Sequence, residues 1–256
     1  MLLENKKCLI FGVANTRSIA YGISKEFYKN GAQLAFNYAS EPFLKRITPI
    51  SEELGGSFIF PCDVTSEEQI ADAVALVKEK WGTIDVLVHS VAFAPREELT
   101  RRYIETSREG FAKALEISVY SLPSLCHAFE DIMNPGGSVI TMTYYGAQKA
   151  ITNYNVMGVA KAALEASVRY LAKDLGEKNI RINAISAGPI KTLASSGISD
   201  YHKIFAYFEE AAPLKRNVNI EDVGRTAVYL ASDLSSAVTG EVLFTDCGYS
   251  IVGVGL

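Results

Sequence analysis

The stretch KCLIFGVANTRSIAYG, residues 7–22, decides the fold. It opens with a short apolar run, Lys7–Phe11, turns at Gly12, and enters a helical pattern near Ser18. A strand, a glycine and a helix start form the first βα unit of a parallel sheet. Glycine allows the backbone to approach a ligand closely, and a helix N-terminus offers unpaired N–H groups with partial positive charge. Gly12 and the helix start near Ser18 are therefore candidates for a phosphate cradle. The spacing departs from G-x-G-x-x-G, and the bland reading makes Gly12 a turn and Ser18 a helix cap. The position in the first βα unit favours the cradle.

The same alternation continues along the chain. Further apolar runs fall at 32–38, 57–62, 85–90, 138–143, 180–186 and 241–246, with segments of helical length between them. After Tyr154, Leu164, Val168, Leu171 and Leu175 form a stripe at helical spacing. Strands apolar on both faces and separated by helices imply a parallel sheet covered on both sides. With right-handed crossovers this is a Rossmann-type doubly wound α/β sheet of about seven strands, helices on both faces, in a single domain spanning 1–256.

Composition excludes several function classes. The 256 residues carry a net charge of −4, with 48% apolar and 21% charged residues, so neither a nucleic-acid surface nor a polybasic membrane patch is indicated. No apolar run reaches the roughly 18 residues of a membrane span. The N-terminus runs into the first strand without the apolar core and cleavage site of a signal peptide, so a cytoplasmic location is expected. Cys8, Cys62, Cys126 and Cys247 lack metal-like spacing, as do His89, His127 and His202, and the cysteines read as buried thiols. No metal site is expected.

A dinucleotide fold often ends its second strand with an acid that holds a ribose. Here the stretch is FNYAS, 36–40, with neither an acid nor a cation for a 2′-phosphate. NADH is favoured over NADPH on the missing cation, although Arg17, Lys45 and Arg46 are near in sequence. Asp63-Val64 closes the third strand. It reads either as an adenine contact or as the turn before a helix capped by Ser66 with Gln69. After Ser186, about thirty residues precede the next clear helix at Glu221. This long excursion at the carboxyl edge of the sheet reads as a substrate lid at about 190–212, or as a surface insertion with its own short helix.

The chemistry is sought in TYYGAQKAITNYNVMGVAK, 143–161. On a helix, Tyr154 and Lys161 would share a face about 10 Å apart along the axis. A lysine leaning towards the N-terminus reaches the phenol or something bound beside it. A nearby ammonium favours phenolate, so such a tyrosine serves as a proton donor or oxyanion stabiliser. The plain alternative is an amphipathic helix with one solvated lysine. Tyr144 and Tyr145 follow the fifth strand, and alternation allows at most one of them to face the cleft with Tyr154.

Together, GVANTRSIAYG, CDV, HSVAFAP, YYGAQKAITNYNVMGVAK and NAISAGPIKTLASSGI resemble the bacterial enoyl-acyl carrier protein reductases, a divergent branch of the short-chain dehydrogenase/reductases. Commoner members of that superfamily place the lysine four residues after the tyrosine, where this chain has Gly158. The strand-five serine of those members is also replaced. The resemblance implies Tyr154 as the catalytic tyrosine, Lys161 as the lysine on the nicotinamide ribose, and Tyr144 as the second active-site tyrosine, with Tyr145 packing. It implies Gly12, Ser18 and Ile19 at the pyrophosphate, Asp63 and Val64 at the adenine, Val91 at the ribose, and Ala94 by the substrate. Ile190, Lys191, Thr192, Leu193 and Ala194 match the loop over the nicotinamide, and Ile204, Phe205 and Phe208, at helical spacing, would be the movable wall of an acyl slot or simply core. Some members carry a polar or basic residue where this chain has Ala39. The implied activity is NADH-dependent reduction of a trans-2-enoyl thioester on acyl carrier protein, in a homotetramer. The alternatives are a 3-oxoacyl thioester carbonyl reductase of the same fold and a non-catalytic dinucleotide-binding sensor.

Overall fold

The computed structural model describes residues 1–192 and 201–253. Seven strands alternate with helices: β1 (Lys7–Phe11), α1 (Ile19–Lys29), β2 (Gln33–Tyr38), α2 (Glu41–Glu53), β3 (Phe58–Pro61), α3 (Glu67–Trp81) and β4 (Ile84–His89). Then follow α4 (Arg96–Thr100), α5 (Arg108–Leu115), α6 (Ser121–Phe129), β5 (Met133–Thr143), α7 (Val156–Gly176), β6 (Arg181–Ala187), α8 (Tyr201–Ala211), α9 (Ile220–Ala231) and β7 (Val242–Thr245). All seven strands join one parallel sheet in the order β3-β2-β1-β4-β5-β6-β7. The chain winds outward one way from β1 to β3 and the other way from β4 to β7. The direction reverses between β1 and β4, which opens a crevice at their carboxyl ends.

Strand alternation builds two cores. Along β1, Cys8 and Ile10 join a layer with Ala20, Ile23 and Phe27 of α1 and Val223 and Ala227 of α9. Leu9 and Phe11 point the other way, to Val77 of α3, Leu125 and Phe129 of α6, and Leu164 and Val168 of α7. Phe11 meets Phe60 and Phe129 edge-on, with ring centres 5.8 and 6.1 Å away. The stripe read from α7 packs as expected, with Leu164, Val168 and Leu175 buried and Leu171 partly so. The four cysteines are buried free thiols. Among the described residues no helix is long and apolar enough to cross a membrane, and no group of three metal-ligating side chains gathers.

The fifth strand is longer than its apolar run, because Met133 also pairs with Ile84 before the register shifts. The helix beyond it begins later than the pattern suggests. Tyr154 precedes α7, since Asn155 takes φ 40° and ψ −117° and breaks the helical path. The picture of Tyr154 and Lys161 two turns apart on one helix is thereby corrected. Between α5 and α6 the backbone makes a π turn over Glu116–Tyr120. A single surplus residue of this kind often marks a functional region.

Gly12 fixes the first loop against the sheet. Its φ of 99° suits glycine, and a Cβ there would run into the Ser90 backbone. Gly12→Ala should therefore cost at least about 2 kcal/mol through combined strain and overpacking. Denaturant unfolding of the variant checks this, and a near-wild-type midpoint would contradict it.

Candidate active site

The candidate residues lie beyond the carboxyl ends of β1, β3, β4, β5 and β6, of which β1, β4 and β5 are neighbours. At β1, Gly12 presses on Ser90 beyond β4, and its N–H donates to Asn37 Oδ1 at 3.1 Å. Asn37 is buried and also donates from Nδ2 to the Cys62 carbonyl at 3.0 Å. The polar group near the end of β2 thus holds the glycine loop to β3, a role that sequence reading missed. Ser18 stands before α1, yet its hydroxyl donates to Asn15 O at 2.6 Å and caps no helix amide. Ser18 is the N-cap by position, its carbonyl accepting from Tyr21 N and Gly22 N, without a side-chain cap. No side chain caps the start of α1, a place where a helix could hold an anion.

At β3 Asp63 makes the turn before α3, a geometry that does not bear on the adenine reading. Its carboxylate accepts from Thr65 N at 3.0 Å and Thr65 Oγ1 at 2.8 Å. Gln69 Oε1 accepts from Asp63 N at 2.8 Å, while Ser66 Oγ accepts from Gln69 N at 3.2 Å. Val64 is buried beside this turn.

Beyond β5 the two adjacent tyrosines diverge. Tyr144 meets the Tyr154 ring edge-on, with centroids 4.9 Å apart. Tyr145 turns the other way, onto Tyr249 at 5.7 Å and Phe244 at 6.4 Å. A short 3-10 turn, Tyr145–Ala147, then brings Gly146 under the Tyr154 ring. Gly158, four residues after Tyr154, lies so close to this turn that a Cβ would stand 2.8 Å from the Gly146 carbonyl oxygen. A side chain as large as lysine has no room there, and the cation comes from Lys161 in the first part of α7.

Lys161 is buried, at 5% exposure, and its Nζ donates to the Met142 carbonyl at 2.8 Å. Burial lowers its pKa to about 8, partly offset by the Glu165 carboxylate one turn further along α7. Glu165 is raised, chiefly by burial, although its Oε1 accepts from Thr143 Oγ1 at 2.8 Å. Lys161 is thus held at the end of β5, on the carbonyl of the residue two positions before Tyr144. The Met142 carbonyl meets one of its three N–H donors, and a pair of ribose hydroxyls would suit the others. With the uncapped start of α1, this fits a dinucleotide.

His89, at the end of β4, shapes the local charge. Its Nδ1 lies 2.9 Å from Thr141 Oγ1 and its Nε2 lies 2.8 Å from Ser121 Oγ. Ser121 gives its own proton to Ile117 O at 2.7 Å, so it accepts from Nε2–H, and Nδ1 accepts from Thr141. Burial first, and then the Lys161 charge, push the imidazole pKa down to about 3.

Ala94 and Tyr154 pack against one small apolar cluster of Leu99, Ala114, Val156 and Met157. Val91 is half-buried at the start of the same loop. An open cleft of about 360 Å³ runs past Tyr154, lined also by Gly146, Ile151, Val159 and Ala162. Neither Lys161 nor Ala94 lines it, so it neighbours the convergent groups rather than containing them.

In the long excursion, Ile190 is buried and Lys191 Nζ lies 4.5 Å from the Phe205 ring centre. Thr192 is half-buried, while Leu193 and Ala194 lie outside the described residues. On α8, Ile204 and Phe205 are half-buried, and Phe208 stacks on Tyr249 at 3.6 Å.

A family model described as enoyl-(acyl carrier protein) reductase matches residues 12–250. The chain is 55% identical to the enoyl-[acyl-carrier-protein] reductase [NADH] FabI of Rickettsia typhi, over 98% of this chain and 97% of that protein. It resembles the crystal structure of the NADH enoyl-[acyl-carrier-protein] reductase of Aquifex aeolicus, with a TM-score of 0.97, 49% identity and full coverage of both chains. A reductase from Anaplasma phagocytophilum, solved in complex with NAD, matches with a TM-score of 0.97 and 49% identity, covering 100% of this chain and 98% of that one.

A neutral buried His89 makes stability depend on acid. The unfolded imidazole takes up a proton near its ordinary pKa of 6.5, whereas the folded one does so only near 3. The unfolded state therefore binds more protons as pH falls through this window, and stability drops. From pH 7 to pH 5 the His89 share of the loss should be about 2 kcal/mol. Denaturation midpoints against pH should show a slope shallower by up to one proton in His89→Gln, and an unchanged slope would refute the assignment.

Proposed function

The chain belongs to the enoyl-(acyl carrier protein) reductase family, and on that premise we propose that Tyr154 and Lys161 carry its chemistry. The protein is an NADH-dependent enoyl-acyl carrier protein reductase, acting on a trans-2-enoyl thioester in fatty acid synthesis. The single observation that carries the assignment of roles is the buried Lys161 ammonium on the Met142 carbonyl, two residues before the Tyr144 that packs on Tyr154.

The site would hold NADH, whose nicotinamide would supply the hydride for the β-carbon of the enoyl thioester. Negative charge then develops on the thioester oxygen, and the Tyr154 hydroxyl donates a hydrogen bond to it. One preorganised donor of this kind is worth about 3–4 kcal/mol of barrier. Lys161, anchored on the Met142 carbonyl, would hold the ribose hydroxyls of the nicotinamide half. A proton taken from solvent water at the α-carbon then collapses the enolate to the saturated thioester. Tyr144 supports the Tyr154 ring from the side and reaches the substrate as a second tyrosine.

Gly12, Ser18 and Ile19 take the pyrophosphate, where the uncapped α1 start supports the reading. Asp63 and Val64 take the adenine, and Val91 the ribose. Ile190 to Ala194 close over the nicotinamide, and Ala94 contacts the acyl group. The lid spans about 190–212 in a single 1–256 domain, with Ile204 and Phe205 facing the acyl slot while Phe208 anchors α8 on Tyr249. The enzyme works as a cytoplasmic homotetramer with acyl carrier protein as the carrier of its substrate.

NADH oxidation with crotonyl and acetoacetyl thioesters separates this reading from a carbonyl reductase, and turnover on the crotonyl thioester alone is expected. Tyr154→Phe should lower kcat by roughly 10²–10³-fold with NADH affinity nearly intact, and full turnover would sink the assigned role. Lys161→Ala should weaken NADH binding first. In the intact enzyme, with Lys161 near 8, NADH binding should be flat below that pH and weaken above it as the ammonium loses its proton. Fluorescence titration of NADH across pH 6–10 reads this on a scale of about two units either side of the pKa.

A further inference from the structure

Asn155 follows Tyr154 directly and stands at the N-cap of α7, yet its side chain caps no amide of that helix. Its backbone takes φ 40° with ψ −117°, a conformation that costs a side-chain-bearing residue energy and persists only when its surroundings impose it. The surroundings are visible. Nδ2 donates to the Leu99 carbonyl at 3.2 Å and to the Arg101 carbonyl at 2.6 Å. Two carbonyl partners require the NH₂ side of the amide, which fixes its orientation.

Both carbonyls belong to the end of α4 and its exit, in the loop that leaves β4 past Val91 and Ala94. That loop is tied at its start as well. Ser118, in the π turn, accepts from Phe93 N at 3.0 Å and donates to Phe93 O at 3.1 Å. Buried Glu98 takes the Ser107 hydroxyl and amide, at 2.5 and 3.2 Å. Leu99 then joins the cluster on which Ala94 and Tyr154 both rest. Of these ties, Asn155 is the one whose backbone adjoins Tyr154.

We infer that Asn155 is a positioning residue, which locks the loop after β4 to the turn carrying Tyr154 and sets the phenol against the substrate carbonyl. The inference rests on Tyr154 being the catalytic tyrosine. Asn155 touches neither substrate nor cofactor in this role. It fixes the distance between the loop that holds the acyl group and the hydroxyl that meets its thioester oxygen.

The test uses Asn155→Gly, which accepts the unusual backbone and removes the clamp, and Asn155→Asp, which keeps the size but has no N–H to donate. Each is made alone and with Tyr154→Phe. The readouts are Kd for NADH by fluorescence, and kcat and KM with crotonyl thioester. Asn155→Gly should lower kcat by about 10- to 100-fold, the scale of a 1 Å misplacement, with NADH Kd within about twofold of wild type. On the Tyr154→Phe background the same change should lower kcat by less than about threefold, because its route of action is gone. If Asn155→Gly fails to fold, Asn155→Asp gives the same comparison. Wild-type kcat in the variant that folds would overturn the proposal. So would an equal fall on both backgrounds, or a loss of NADH affinity in step with kcat. Full turnover in Tyr154→Phe alone would remove the premise, and that result is distinct from any failure of the Asn155 variants.

Discussion

An ammonium withdrawn from water governs the design of this site. Lys161 is buried, and a charge in that position is tolerated only with close partners of the right kind. The Met142 carbonyl supplies a dipole at 2.8 Å and Glu165 an opposing charge, itself held by Thr143. Across the sheet, His89 has both ring nitrogens committed to hydroxyls, which keeps a second positive charge away. The result is one cation in a confined space, with a pKa still above neutrality.

The sheet supplies the place for that cation. Parallel strands direct their carboxyl ends to one edge, and the reversal between β1 and β4 leaves that edge open. Groups distant in sequence become neighbours there. Gly12 abuts the backbone at Ser90, and His89 pairs in register with Thr141. The contact between Gly158 and Gly146 draws the start of α7 against the turn after β5. That crowding leaves no room for a long side chain at position 158.

The parallel sheet was legible because it is written in local pattern. Apolar runs located all seven strands, and the stripe from Leu164 to Leu175 marked the buried side of α7. Residue type and spacing marked Tyr154 and Lys161 as a pair, while their roles came only from the family resemblance. What escaped was long-range hydrogen bonding. Asn155 reaches carbonyls 54 and 56 positions away, and Asn37 spans 25 residues in each direction. No periodicity records such partners, and an asparagine reads as a turn or cap whichever group it meets. The helix boundary moved for a related reason, since a left-handed backbone at an asparagine has no signature in apolar pattern.

The π turn at Glu116–Tyr120 has a consequence for how one helical rod serves two parts of the molecule. Each residue advances an α-helix by about 100°, so one extra residue puts the segments before and after it out of phase. Upstream, Ala114 looks towards Leu99 and Met157. Downstream, Leu122, Leu125 and Phe129 look into the layer beneath the sheet. A regular cylinder of this length would aim a single stripe at a single neighbour. The added residue works as a rotary offset, so that scaffold and substrate-side loop share one rod without competing for its face.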